Sequence, residues 1–216
     1  MKRLVSVLLL GIAISWAQTP SALESDPRGW QDIMPPPSLQ GWARAPFMTT
    51  DPLNPQSQWK VDPSGLLVCE GDKGHEFFYL NRELANFIFH AEWRFVPIPN
   101  GKGYNSGVMA RNSIDGKIWH QGQTGDASGG FLMGATPVKG EIQRINTRAQ
   151  LKENRVKPAG EWNIFEIRAD GPKMTLWVNG DVTAVVDNLE VMRGYIGLEA
   201  EGYLIQFRNL KLKELP

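Results

Sequence analysis

Apolar positions along this chain recur at intervals of two. Between Phe87 and Val96, the residues Phe87, Phe89, Ala91, Trp93 and Phe95 alternate with Ile88, His90, Glu92, Arg94 and Val96. A period of two places the aromatic set on one face of a strand and His90, Glu92 and Arg94 on the other. Trp162 to Asp170 reads as a second strand. Met174 to Asn179 and Val182 to Val186 flank Asn179-Gly180, a strong hairpin signal. Tyr195 to Ala200 and Tyr203 to Leu212 form another pair that turns at Glu201-Gly202. Shorter strands are expected at Gly65 to Glu70, Phe77 to Leu80, Gly107 to Arg111, Ile118 to Gln123 and Glu141 to Ile145. No window sustains a helical period, so crossover helices are absent and the expected fold is an all-β antiparallel sandwich or jelly roll. A closed barrel would satisfy the same strand count.

The ends of the pattern carry different information. Lys2 and Arg3 precede the apolar run Leu4 to Ile14, and Ser15-Trp16-Ala17 offers small residues at a cleavage site. This run is short for a membrane span. Residues 1–17 are therefore expected to be a signal peptide, giving an exported protein, periplasmic or extracellular, without a membrane span. Residues 18–40, with Pro20, Pro27 and the run Pro35-Pro36-Pro37, read as a Pro-rich tether in which Trp30 could still dock. Residues 41–216 form the β-sandwich domain.

Composition narrows the chemistry. The 216 residues carry 23 basic and 23 acidic side chains. Loss of Lys2 and Arg3 leaves 21 basic groups against 23 acidic, a net charge of −2. Without a basic stripe, nucleic-acid binding is excluded. A single Cys69 allows neither an internal disulfide nor a Cys-based zinc site. Ser106 lacks the flanking glycines of a nucleophile elbow, and Gly101-Lys102-Gly103 lacks the rest of a phosphate loop.

The polar row on the strand at 87–96 has company. Asn105, Ser106, Arg111, His120, Gln121, Gln123, Asp126 and Arg208 fall in neighbouring segments, among glycines that let a backbone approach a ligand closely. Planar amides, guanidinium groups and aromatic rings suit a saccharide. Solvated surface and inter-strand ion pairs would account for the same residues.

Five segments in order carry a resemblance. Asn105-Ser106-Gly107-Val108-Met109-Ala110-Arg111 resembles the Asn-Ser-Gly-Val-x-x-Arg signature of the 3-keto-disaccharide hydrolase family. Asn86-Phe87 with Glu92-Trp93-Arg94, Gln121-Gly122-Gln123-Thr124-Gly125-Asp126, Gly160-Glu161-Trp162-Asn163, and Gly194-Tyr195-Ile196-Gly197-Leu198 with Phe207-Arg208-Asn209 resemble further family segments. The resemblance implies a concanavalin A-like jelly roll with its ligand on the concave sheet, and cleavage of glycosides oxidised to a 3-keto form. A ketone two carbons from the glycosidic carbon acidifies the C–H between them, so the site needs a base, a donor for the enolate oxygen and an acid for the leaving group.

Two positions depart from the family pattern: Gln121 stands where the family carries Glu, and Glu199 where many relatives carry Gln. His120 is the expected substitute base, provided a bulge at Gly122 turns it to the face of Gln121. Arg111 and Arg94 are expected as clamps on the enolate or hydroxyls, Asn105, Ser106, Gln121 and Gln123 as sugar contacts, and Asp126 as a base or turn cap. Glu92, Glu199 and Arg208 complete the expected binding set; His75 and Glu141 are minor candidates. No cofactor is expected, although a divalent cation on His120, Asp126 or Glu92 is compatible. A non-catalytic sugar-binding module is the rival reading, and a structural partner domain a third.

Overall fold

The computed structural model describes residues 18–125 and 128–216; the expected signal peptide lies outside them. A single turn of helix, α1 (Ala22–Ser25), is followed by β1 (Gln31–Asp32), β2 (Trp42–Pro46), β3 (Trp59–Val61), β4 (Leu67–Cys69) and β5 (Glu76–Leu80). The middle of the chain supplies β6 (Phe87–Phe95), β7 (Gly107–Asn112), β8 (Trp119–Gln123), β9 (Leu132–Val138) and β10 (Glu141–Asn146). The last third forms β11 (Asn163–Asp170), β12 (Lys173–Val178), β13 (Asp181–Val186), β14 (Tyr195–Ala200) and β15 (Ile205–Glu214). All pairings are antiparallel and fall into two open sheets, a sandwich rather than a closed barrel. The back sheet runs β13-β12-β11-β6-β15-β4-β3, with β1 also on β15, and the front sheet β10-β9-β8-β7-β14-β5-β2. Among the described residues no helix is long and apolar enough to cross a membrane.

The alternation in β6 organises the core. Phe87, Phe89, Ala91, Trp93 and Phe95 are all buried between the sheets, where they meet Phe165, Ile167 and Ala169 of β11 and Val108, Ala110, Ile196 and Leu198 of the front sheet. Each fully buried large side chain contributes roughly 1.5–3 kcal/mol. Asn179 and Gly180 both take positive φ, 43° and 109°, the backbone of the primed turn that joins β12 to β13. Strand β9 escapes the sequence pattern because Gly134 and Pro137 interrupt it; Pro137 lies opposite Ile142 of the edge strand β10.

The stretch read as a tether lies against the back sheet. Ser21 and Glu24 form a capping box. The two amides next in line, Ala22 N–H and Leu23 N–H, donate to Glu166 at 2.6 and 3.1 Å. His90, opposite Glu166 in the β6–β11 register, donates from Nδ1 to the same carboxylate at 2.9 Å. Trp30 meets His90 edge-on, and β1 pairs with β15 beyond the end of β4. The outward row of β6 is thus roofed near His90. Burial alone would depress the His90 imidazole, but hydrogen bonds to Glu166 and Glu92 outweigh it and hold it above its ordinary value.

Arg111 braces the floor of the sandwich. Its φ of 50° coincides with a register shift between β7 and β14, which swings it out of strand alternation. Nε and Nη2 donate to the Ala85 carbonyl at 2.9 and 2.7 Å, and Nη1 to the Gly171 and Val191 carbonyls at 2.6 and 2.9 Å. Three loops are thereby tied to one buried fork, which a lysine cannot reproduce. Arg111→Lys should cost about 3 kcal/mol or more, read as a lowered urea midpoint.

The His90–Glu166 contact has a defined pH sense. Because the folded-state value of His90 is raised, its contribution is complete below the unfolded value and is lost as pH rises through the folded one. Glu166→Gln should therefore cost about 1–3 kcal/mol at pH 6 and less at pH 9. Equal losses in urea titrations at both pH values would remove His90 from the contact.

Candidate functional site

The outer face of the front sheet holds a cleft of ≈ 310 Å³. Strand β14 delivers its carboxylates: Tyr195, Gly197 and Glu199 share that face by alternation, and Glu201 follows two residues past Glu199, beyond the strand end. Ala200 pairs with Glu76 of β5, which brings the preceding residue, His75, alongside. On the other flank, Val108 of β7 pairs with Leu198 and Gly107 with Gln123 of β8. Gly107 matters because it lacks a side chain. A Cβ there would fall 2.5 Å from the Gln121 side chain, so only glycine lets Gln121 lie across β7 to reach β14.

A continuous run of hydrogen bonds results. His75 Nε2 meets Glu199 Oε1 at 2.7 Å, and Gln121 Nε2 donates to Glu199 Oε2 at 2.7 Å and to Gln123 Oε1 at 2.9 Å. Gln123 Nε2 in turn donates to Asn105 Oδ1 at 2.6 Å. The Ser106 hydroxyl donates to the Glu199 main-chain carbonyl at 2.7 Å, clamping β7 to β14 from beneath. Phe47, Met48, Trp119, Met133 and Arg144 also line the cleft. Phe47 stacks on His75 with ring centroids 4.2 Å apart and planes 6° apart, and Arg144 covers Trp119 at 4.9 Å.

The electrostatics follow from burial. Glu199 is only 2% exposed, and loss of water pushes its carboxyl upward against the opposing pull of His75. Burial disfavours the His75 cation, yet the carboxylates of Glu199, Glu201 and Asp51 prevail and raise the imidazole. Half-buried Glu201 is pushed up to about 7, first by desolvation and then by the Glu199 charge. A carboxyl that titrates near neutrality, in a cleft lined by amides, has the attributes of a general base. His75, Glu199 and Glu201 present ligand-type atoms within 4.8 Å of one another, the set that would hold a divalent cation. In this structure the Glu199 oxygens are met by His75 Nε2 on one side and Gln121 Nε2 on the other.

Of the expected residues, the structure brings together Asn105, Ser106, Gln121, Gln123 and Glu199 with the minor candidate His75, and places His120, Arg111, Glu92, Arg94, Arg208 and Glu141 elsewhere. His120 was expected as base on condition of a bulge at Gly122; the β7–β8 register runs through Gly122 without one. His120 therefore faces away from the cleft, with Nδ1 on the Ala110 carbonyl at 3.1 Å, and burial drives its value down to about 4. A neutral imidazole in the interior cannot serve the cleft. Arg111, expected as a clamp, is the brace beneath the sheets. Glu92, Arg94 and Arg208 lie on the back sheet: Arg208 pairs with Glu92 at 2.7 Å, and both guanidinium groups stack on Trp162, at 4.6 Å for Arg94 and 4.0 Å for Arg208. Asp126 lies outside the described residues. Glu141 sits on the exposed edge strand β10.

Sequence reasoning undervalued His75 and missed Glu201, Arg144, Phe47 and Trp119. The signal for Glu201 was available, since Glu-Ala-Glu in an alternating strand puts both carboxylates on one face. The two positions expected to depart from the family pattern are in contact, Gln121 Nε2 donating to Glu199 Oε2 at 2.7 Å.

Comparison with known proteins agrees with this architecture. No protein of curated function matches the sequence. A candidate glycosyl hydrolase from Parabacteroides distasonis superposes with a TM-score of 0.63 at 16% identity, over 92% of this chain and 100% of its own. The Bacillus subtilis carbohydrate-binding module CBM66 does so at 0.56 and 14% identity, over 84% and 98%. Bacillus licheniformis β-glucanase gives 0.50 and 10%, over 82% and 94%. At these identities the likeness establishes the jelly-roll fold alone. The sequence itself goes further: residues 29–213, from just before β1 to within β15, match the 3-keto-alpha-glucoside-1,2-lyase-like domain, and the chain belongs to that family.

Proposed function

We propose that the protein is an exported carbohydrate-active enzyme that cleaves 3-keto-glycosides by elimination, with Glu201 as base. The observation that carries this reading is the placement of the two cleft carboxylates. Glu199 and Glu201 come from one strand end, on one side of the cleft, with their ligand-type atoms within 4.8 Å. A retaining glycosidase needs two free carboxyl groups about 5–5.5 Å apart, whereas both Glu199 oxygens are held by His75 and Gln121, which leaves Glu201 alone to act. A 3-keto sugar needs only one, because its ketone makes the C2–H acidic.

The steps follow from that acidity. The Glu201 carboxylate takes the C2 proton; the C–H pair forms the C2–C3 double bond, and the carbonyl pair moves onto the C3 oxygen. Arg144, which has no ion-pair partner among the described residues, lines the cleft as the cation for that oxygen. When the C3 carbonyl re-forms, its pair makes a C1–C2 double bond and expels the glycosidic oxygen. Addition of water across C1–C2 completes a net hydrolysis. Asn105 and Gln123 orient the ring hydroxyls, and Glu199 keeps His75 and Gln121 in place.

Two variants test the assignment. Because Glu201 must be ionised to act, kcat/KM on a 3-keto-glucoside should rise with pH through about 7. Glu201→Gln should lower it by about 10²–10⁴-fold and abolish that limb. Activity within twofold of native removes Glu201 as base, and saccharide binding without product at any pH assigns the cleft to a carbohydrate-binding module. Gly107→Ala should displace Gln121 and lower kcat/KM on the order of tenfold or more, with the circular dichroism of the native fold retained.

A further inference from the structure

Each open sheet has a strand at either end, β13 and β3 in the back sheet and β10 and β2 in the front. Three of these edges are blunted by the chain itself. On β13 the Gln150 side chain imitates a strand: Val185 N–H donates to its Oε1 at 3.0 Å, and its Nε2 donates to the Val185 carbonyl at 3.1 Å. Nearer the turn, Val182 N–H is taken by Asp181 at 2.8 Å. On β3 the Ser57 hydroxyl accepts from Trp59 N–H and donates to the Trp59 carbonyl, each at 3.0 Å. Strand β2 ends in Pro46, which has no donor, and its Trp42 N–H goes to the Leu39 carbonyl at 3.1 Å. Such devices keep one sheet from recruiting another.

Strand β10 has none of them. It runs for 6 residues, and its register fixes which backbone groups face outward. Glu141 closes the hairpin opposite Val138, and Thr147 N–H, just past the far end, donates to the Leu132 carbonyl at 2.8 Å. Odd positions therefore bond to β9, while Ile142, Arg144 and Asn146 turn their N–H and carbonyl groups away from the sheet. None of those groups has a hydrogen-bond partner among the described residues. Ile142, at 53%, is also the most exposed large apolar side chain among them.

We propose that β10 pairs antiparallel with β10 of a second copy of this chain, about a two-fold axis through Gln143. The strand's own sequence selects this register. Ile142 then stands opposite Arg144 of the second copy, and the N–H and carbonyl groups of both residues are satisfied on both copies. Ile142 lies against the aliphatic stem of Arg144, Gln143 faces Gln143, and Glu141 faces Ile145. With the axis at Arg144, two guanidinium groups would stand directly opposite, which is destabilising. With the axis at Ile142, Arg144 would face Gly140, whose N–H is already engaged by Glu190.

A two-fold contact consumes the edge it uses. Because the other edges are blunted, association stops at two copies instead of continuing as a fibre. The axis is perpendicular to the sheet, so the two front sheets become continuous and both clefts open on the same side. The strand that carries Arg144 gains a neighbour on its outer flank. The pairing does not depend on which reaction the cleft performs.

Sedimentation equilibrium of the native protein up to about 1 mM, the weak end of specific association, should give a dimer. Ile142→Pro deletes only an outward N–H and should leave a monomer with native circular dichroism. Two further variants read the register. Ile142→Lys places like charges opposite each other and Ile142→Glu opposite charges, each twice by symmetry, so the lysine variant should dissociate at least about tenfold more readily. Amide exchange on the native protein needs no variant: the Ile142 and Arg144 N–H groups should exchange more slowly as concentration rises. The pairing is overturned by a native protein that stays monomeric throughout, or by a folded Ile142→Pro variant that dimerises as the native does. Equal dissociation of the lysine and glutamate variants, or exchange at Ile142 that ignores concentration, overturns it as well.

Discussion

A carboxylate buried at the centre of a sheet face must be compensated, and Glu199 imposes that requirement on everything around it. At 2% exposure its charge has lost its water. His75 and Gln121 replace that water, each at 2.7 Å. The demand then spreads outward. Gln121 can reach only because position 107 lacks a Cβ, and His75 can hold its angle only because Phe47 stacks on it. The Asn-Ser-Gly segment thereby acquires three separate tasks. Asn105 ends the amide run, Ser106 fastens two strands, and Gly107 leaves the gap.

The two faces of the sandwich spend their polar residues differently. On the front sheet, imidazole, carboxylates and amides surround open space. On the back sheet, the same residue types are consumed by one another: His90 on Glu166, Glu92 on Arg208, both guanidinium groups on Trp162. A polar row on a strand therefore says that something must satisfy it, not what will. Here the N-terminal stretch provides the answer with two helix-end amides, which have no partner within so short a helix.

The sandwich was legible in the sequence because period-two alternation is a local property, and β6, β11, β12 and β14 each display it without help from their neighbours. The candidate cleft was legible in two ways: alternation along β8 puts Gln121 and Gln123 on one face, and the resembling segments supply Asn105 and Glu199. Arg111 was misplaced because a bulge against β14, visible only once two strands are paired, turned it under the sheet. His120 failed for the opposite reason, since the irregularity it needed does not occur. Glu201 was read as half of a turn and His75 as a minor candidate. Their meeting depends on the register of β5 against β14, a pairing across more than a hundred residues that no local pattern encodes.

The order of strands in the back sheet has a consequence for how the chain reaches this state. Strand β15 comprises residues 205–214, yet it occupies an interior position, with β6 on one side and both β4 and β1 on the other. The first and last strands of the protein are direct neighbours. Without β15, β6 has one open edge and β1 has no partner strand. Closing this side of the back sheet therefore brings Gln31 against Leu212 across nearly all of the described residues, a high contact order that favours slow folding.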